Sequence, residues 1–290
     1  MGRPKNAGTL TMDLPFRQVD VFSAEPFRGN PLAVIAGADG LSDSQMAQIA
    51  NWTNLSETTF LLKPTHPDAD YRVRIFTPHT ELPFAGHPTL GSAFVWQSLG
   101  GASKSAVIMQ ECGAGLVPVR RQTDQLSFAA PPRRRTGPVG QNDLANALAG
   151  LRLLPGDILD AQWADNGPGW MALRLRSRRD ILAIQPDWQK LRGQYLGVVG
   201  AWDDQHDGAD VQFEVRAFVG DGQGWEDPVT GSLNAAMAQW LIESGVAPAQ
   251  YVATQGTTLH KAGRVFVVKD GDDIWIGGNV VTRVAGVITL

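Results

Sequence analysis

The chain has 290 residues, 43% of them hydrophobic, with a formal net charge of −4 and a single cysteine. That length suits one large domain or two ordinary ones, with ample apolar material for buried cores. The negative balance excludes a protein that tracks nucleic-acid phosphates, and a lone Cys112 excludes an intramolecular disulfide framework and fits a reducing cytoplasm.

No apolar run approaches the roughly 20 residues that span a bilayer, so no membrane role is expected. Residues 1–15, MGRPKNAGTLTMDLP, lack the apolar stretch of a secretory signal. Residues 1–13 therefore read as a disordered leader, with the fold starting at Leu14. The basic clusters Arg133-Arg134-Arg135 and residues 174–179 read as solvated faces or loops.

Residues 16–22 (FRQVDVF) alternate as a strand, and residues 32–36 form a second after the turn Gly29-Asn30-Pro31. A helix over 42–52 is predicted, with Ser42 as cap, Gln45 in the capping-box position and Met46, Ile49 and Ala50 on the apolar face. Residues 58–62 have strand character, which leaves Glu57 at a strand entry. Were the fold to turn that carboxylate into a cleft, partial burial would raise its pKa toward the range useful for proton transfer. Further strands are expected at 106–110, 116–120, 126–129, 196–199, 211–218, 258–259, 264–268 and 273–277, with helical pieces at 142–148 and 188–191. Pro131-Pro132 marks the seam between halves.

One unit occurs twice. Residues 71–76 (YRVRIF) precede Glu81, Gly86 and His87, and residues 213–218 (FEVRAF) precede Glu226, Gly231 and Ser232. With Gly86 set on Gly231, Glu81 falls on Glu226 and Gly100 on Gly245, and the second copy needs three extra residues in its loop. We read a strand–loop–helix unit used twice. In the second helix Ser232 is the expected cap and Leu233, Ala236, Met237, Trp240 and Leu241 the apolar face. In the first, His87 stands where a cap would and Pro88 at the first helical position. A His at the positive end of a helix is expected to be neutral. The five histidines show no ligand spacing with a Cys or carboxylate cluster, so no metal site is expected.

These residues resemble the PhzF-like isomerase family, of the diaminopimelate-epimerase fold. Five stretches in chain order carry the resemblance: Gly29-Asn30-Pro31; Asn54-Leu55-Ser56-Glu57-Thr58; Phe76-Thr77-Pro78 with Glu81-Leu82; Gly86-His87-Pro88-Thr89; and Glu226-Asp227-Pro228-Val229-Thr230-Gly231-Ser232. The resemblance implies an α+β protein of two pseudo-symmetric halves, each a curled sheet round a central helix. The N-terminal half covers 14–130, completed by 279–290, and the C-terminal half covers 131–278. It implies a proton-moving Glu57 with His87, Asp227 and Ser232 as catalytic partners. Asn30, Gly86 and Gly231 would bind a small carboxylate-bearing, amino- or hydroxy-acid-like substrate without an organic cofactor. A homodimer is implied by the same likeness.

Two places depart from the family. The usual Pro after the second R-x-F segment is Gly220, followed by a glycine-rich lip, Asp221-Gly222-Gln223-Gly224-Trp225, and the usual Gly-Arg-Pro near the C-terminus is replaced around Leu259-His260-Lys261. Alternatives are an epimerase or racemase with two opposed thiols, which a single cysteine cannot supply, and a non-catalytic binding protein on the same fold. A Rossmann dehydrogenase is disfavoured because GDGQG lacks the third glycine of its fingerprint.

Overall fold

The computed structural model describes residues 12–122, 125–203 and 205–290. Residues 1–11 of the expected leader lie outside it. Met12 and Asp13, assigned to that leader from sequence, belong to the fold: Met12 exchanges two backbone hydrogen bonds of 3.0 Å with Leu290, and Asp13 opens the first strand opposite Thr289.

The first half runs β1 (Asp13–Val21), β2 (Asn30–Ala36), α1 (Asp43–Thr53), β3 (Thr58–Leu62), β4 (Tyr71–Phe76), the short β5 (Glu81–Leu82), α2 (Gly86–Ser98), β6 (Val107–Cys112), β7 (Gly115–Gln122) and β8 (Gln125–Ala129). Helix α3 (Gln141–Leu151) follows at the seam. The second half repeats the order: β9 (Ile158–Trp163), β10 (Trp170–Ser177), α4 (Arg178–Ala183), β11 (Tyr195–Ala201), β12 (Phe213–Val219), β13 (Trp225–Asp227), α5 (Gly231–Glu243), β14 (Gln250–Gln255), β15 (Gly263–Asp270) and β16 (Asp273–Thr289).

Hydrogen bonding joins the strands in the order β1-β2-β3-β4-β6-β7-β8-β16-β15-β14-β12-β11-β10-β9, and β16 also pairs with β1. The first eight strands of that order therefore close into a ring around α2. β16 is shared: its first residues pair with β15 and β8, and Val280–Thr289 runs along β1. In each half two pairs are parallel, β2–β3 and β4–β6 in one and β10–β11 and β12–β14 in the other, each pair bridged by a helix as parallel pairing requires.

α1 forms where expected. Ser42 Oγ accepts from Gln45 N at 3.3 Å, Gln45 Oε1 accepts from Ser42 N at 3.0 Å, and the left-handed Asn54 ends it. α2 and α5 are different in kind. Burial is continuous over Gly86 to Ala93 and over Leu233 to Ala238, so the single apolar face expected for α5 becomes a helix buried all round, because sheet surrounds it.

Three local expectations fail. Residues 257–259 are one 3-10 turn rather than a strand, entered and left through the left-handed Gly256 and His260, and 188–191 are turn. The basic run at 174–179 is not simply solvated: Arg178, at the start of α4, donates to the fully buried Glu214 at 3.1 Å and to Asp207 at 3.0 Å. No helix among the described residues is long and apolar enough to cross a membrane.

Candidate active site

The two buried helices meet at their N-termini. A Cβ at Gly86 would lie 2.7 Å from the Cα of Gly231, and one at Gly231 would lie 2.7 Å from the Cα of Gly86. Any side chain at either position would overlap the other helix, so close approach, not an unusual backbone angle, is what these glycines provide. This places the first turns side by side. The caps are not the expected residues: Ala85 and Thr230 occupy the N-cap positions, neither makes a side-chain capping bond, and His87 and Ser232 are each the second helical residue. Ala85 has no side chain that can cap, and the Thr230 hydroxyl is engaged elsewhere. The first-turn N–H groups of both helices, without i−4 acceptors, thus converge on one junction with their dipoles aligned to favour negative charge.

Around the junction stands a cluster of titratable groups. Glu57, immediately before β3, brings Oε2 within 3.3 Å of His87 Nε2, and both atoms are buried without a well-aligned hydrogen-bond partner. Asn30, the first residue of β2 and wholly buried, spreads its amide over three acceptors: His87 Nδ1 at 3.4 Å, Asp227 Oδ1 at 3.3 Å and Val229 O at 3.0 Å. With Nδ1 accepting from that amide, the ring proton of His87 sits on Nε2, the nitrogen nearer Glu57. Asp227 also accepts from the Thr230 hydroxyl at 2.5 Å.

Burial sets the charges. The Glu57 carboxyl is held well above the usual carboxylate range, first by desolvation and then by the nearby charge of Asp227. Desolvation lowers His87 to about 3, so its ring is neutral, and burial rather than the helix end is the dominant cause. Asp227 is raised to about 6 by desolvation, with hydrogen bonds from Thr230 and Asn30 working against the rise and the charge of Glu226 adding to it.

Ser232 stands apart from this cluster. Its hydroxyl oxygen accepts from the indole Nε1 of Trp170 at 3.0 Å, and its carbonyl accepts from Asn166 at 2.8 Å. Beneath the junction, Gln255 at the end of β14 ties the loop to the helix. It donates to Asp227 O at 3.0 Å and to Thr230 Oγ1 at 2.9 Å, and accepts from Thr230 N at 3.0 Å and Asn234 at 2.8 Å.

Trp170, Asn166, Thr230, Asn234 and Gln255 were not singled out from the sequence. Asn234 had a signal, a polar residue inside an apolar helix; Gln255, at the end of an ordinary strand, had none. Two cavities in the second half, about 320 and about 420 Å³, are lined by neither Glu57, His87, Asp227 nor Ser232. Among the described residues no group of three or more His, Cys, Asp or Glu is disposed to hold a metal ion.

Two curled sheets around a pair of abutting helices, with polar residues at the abutment, define the α+β, diaminopimelate-epimerase-like class of protein. Within that class the chain belongs to the PhzC-PhzF family of phenazine biosynthesis-like proteins, which it matches over residues 19–286. It is 36% identical to Antisense-enhancing sequence 1 of Schizosaccharomyces pombe, covering 93% of this chain and 97% of that one. It is 31% identical to the trans-2,3-dihydro-3-hydroxyanthranilate isomerase of Pseudomonas aeruginosa, over 87% of this chain and 89% of the relative. The crystal structure of a PhzF-family protein from Enterococcus faecalis superposes with a TM-score of 0.78 at 25% identity, covering 96% of this chain and all of the other. Several of the family's named members are isomerases, which supports an isomerase or epimerase role here.

Proposed function

We propose that the protein is an isomerase that relocates a proton within a small carboxylate-bearing substrate of the amino- or hydroxy-acid type, with Glu57 as both acid and base and no organic cofactor. The observation that carries this reading is the Glu57 carboxyl, packed against neutral His87 near Asp227 at the junction of two uncapped helix N-termini. Held protonated by burial, Glu57 begins as the acid. It gives its proton to one carbon of a conjugated substrate, and the resulting carboxylate removes a proton from another, so a double bond shifts and the acid is regenerated. His87 Nε2–H steadies the carboxylate stage. Asn30, itself bonded to Asp227, fixes the ring's orientation, and the first-turn amides at Gly86 and Gly231, with the Ser232 hydroxyl, receive the substrate carboxylate.

The Pseudomonas aeruginosa relative acts on a cyclic amino- and hydroxyl-bearing carboxylate, which supports that substrate class. The two-thiol epimerase mechanism has no support in the residues: Cys112, at the end of β6, is the only cysteine, so no second thiol can oppose it, and burial raises its thiol. The family resemblance further supports a homodimer, which sedimentation tests, and the lone cysteine fits a reducing cytoplasm.

The deciding measurement is solvent deuterium incorporation across a set of cyclic amino and hydroxy acids. Glu57→Gln is expected to fold normally and lose at least about 10²-fold in exchange rate; near-normal exchange would remove Glu57 from the mechanism. Ser232→Ala is expected to weaken carboxylate binding several-fold by calorimetry, since its hydroxyl accepts from Trp170 and so keeps its own hydrogen for the ligand. Unchanged affinity would count against the cradle.

A further inference from the structure

The repeat gives each position of one half a counterpart in the other. β4 and β12 carry matched arginines and phenylalanines, with Phe76 opposite Glu81 and Phe218 opposite Glu226. Thr58 of β3 lies opposite Phe76, and Leu196 of β11 opposite Phe218. The counterpart of Glu57 is therefore Tyr195. The faces agree. Two residues on from Glu57, Thr59 accepts a hydrogen bond of 2.9 Å from Ser92 of α2; two residues on from Tyr195, Gly197 lies so close to α5 that a Cβ would come within 2.4 Å of Leu233. Both Glu57 and Tyr195 thus stand on the helix-facing side of their strands, at the end nearest the junction. The Tyr195 ring packs edge-on against Trp170 at 5.5 Å, and Trp170 in turn donates to Ser232, the counterpart of His87.

The three extra residues of the second copy fall between β12 and β13, in the glycine-rich lip. That lip is docked firmly. Gly220 donates to Gln194 O at 2.8 Å and accepts from Gly193 N at 3.0 Å, and a Cβ there would collide with Leu191 O at 1.9 Å. Gly224, left-handed at φ 78, packs so tightly on Trp188 that a Cβ would come within 2.5 Å of its ring. The docking brings the Asp221 carboxylate onto the Tyr195 hydroxyl, which donates to it.

We propose that Tyr195 and Asp221 form a subsite for a hydrogen-bond donor, an amino or hydroxyl group, carried by the carboxylate substrate, and that this subsite selects amino and hydroxy acids over plain carboxylates. The phenol's hydrogen is committed to Asp221, so its oxygen is left as an acceptor, and the exposed carboxylate of Asp221 adds negative charge beside it. Burial and the bond to Asp221 push the Tyr195 phenol up to about 12, so it stays neutral at physiological pH. The substrate's anion would then be received at the helix starts and its donor beside Trp170, which joins Tyr195 to Ser232. The inference rests on the reading that the junction binds a carboxylate.

Anthranilate and benzoate differ by one amino group and separate the two subsites by isothermal calorimetry. The unaltered protein is expected to bind anthranilate about tenfold or more tightly than benzoate. Tyr195→Phe, which keeps the ring contact with Trp170, and Asp221→Ala are each expected to abolish that preference while leaving benzoate affinity unchanged. A preference that survives both substitutions, no preference in the unaltered protein, or an equal loss for both ligands would overturn the proposal, the last because it would mark a purely structural clasp. Benzoate alone reports the carboxylate cradle, and deuterium exchange reports Glu57. A failure of the subsite is therefore distinguishable from a failure of the isomerase reading.

Discussion

Asp227 connects the chemistry of the site to its stability. Its carboxyl is raised from the usual 3.8 to about 6 by burial. A buried acid that titrates later in the folded state favours the fold while neutral, so its contribution is full below pH 3.8 and is lost as pH rises through about 6. At about 1.4 kcal/mol per pH unit that loss approaches 3 kcal/mol by pH 8. Asp227→Asn should therefore stabilise the protein by about 1–3 kcal/mol in urea denaturation at pH 8 and change little at pH 4; parallel pH dependences in the two proteins would contradict this. Glu57 is raised by the same cause, so isomerisation that starts from its acid form is expected to fail as pH rises, and the pH–rate profile reads it. The sequence motifs brought Glu57, His87, Asp227 and Asn30 into view because their chemistry is written in residue type. The roles of Thr230 and Gln255 were not legible. A buried amide at a strand end declares itself only when the loop it ties is in place.

The helices, strands and their matched loops carry a second comparison. In the first half Arg74 forks onto Glu81 with two bonds of 2.7 Å, and in the second Arg216 forks onto Glu226 at 2.9 and 2.7 Å. The same ion pair sits in two environments: the Glu81 side chain is 41% exposed and the Glu226 side chain 6%. Arg216 also donates to Ile181 O and Ile184 O, both at 2.9 Å, at the end of α4. Glu226→Ala would strand a buried guanidinium and is expected to cost about 3–5 kcal/mol. Glu81→Ala, mostly in water, should cost about 1 kcal/mol or less; equal losses in chemical denaturation would refute the difference. Gly86→Ala should cost about 1–3 kcal/mol or more by forcing the helix starts apart. The repeat itself was visible from spacing alone. What spacing misplaced was the caps, by two residues in each helix: Ser232 was expected where Thr230 stands, and His87, ahead of Pro88, where Ala85 stands; the close contact of Gly86 with Gly231 fixes where the first turns begin, and tertiary packing overrides local preference.

At the scale of the whole molecule, each half borrows from the other. Asn30 of the first half holds Asp227 and Val229 of the second, the two glycines interlock, and β16 serves both sheets. The curled-sheet α+β class and the return of 279–290 to the first half came with the family resemblance, but no period in the sequence announced that one strand, β16, would run unbroken for 17 residues from one half into the other. That crossing has a consequence for how the protein is made. β1 emerges from the ribosome first, yet the neighbour it meets along nearly its whole length, Val280–Thr289, is synthesised hundreds of residues later. Until then one edge of the nascent first half stays open. The order of translation thus opposes the order of closure, and the early half must wait, exposed to other strands, for the late one.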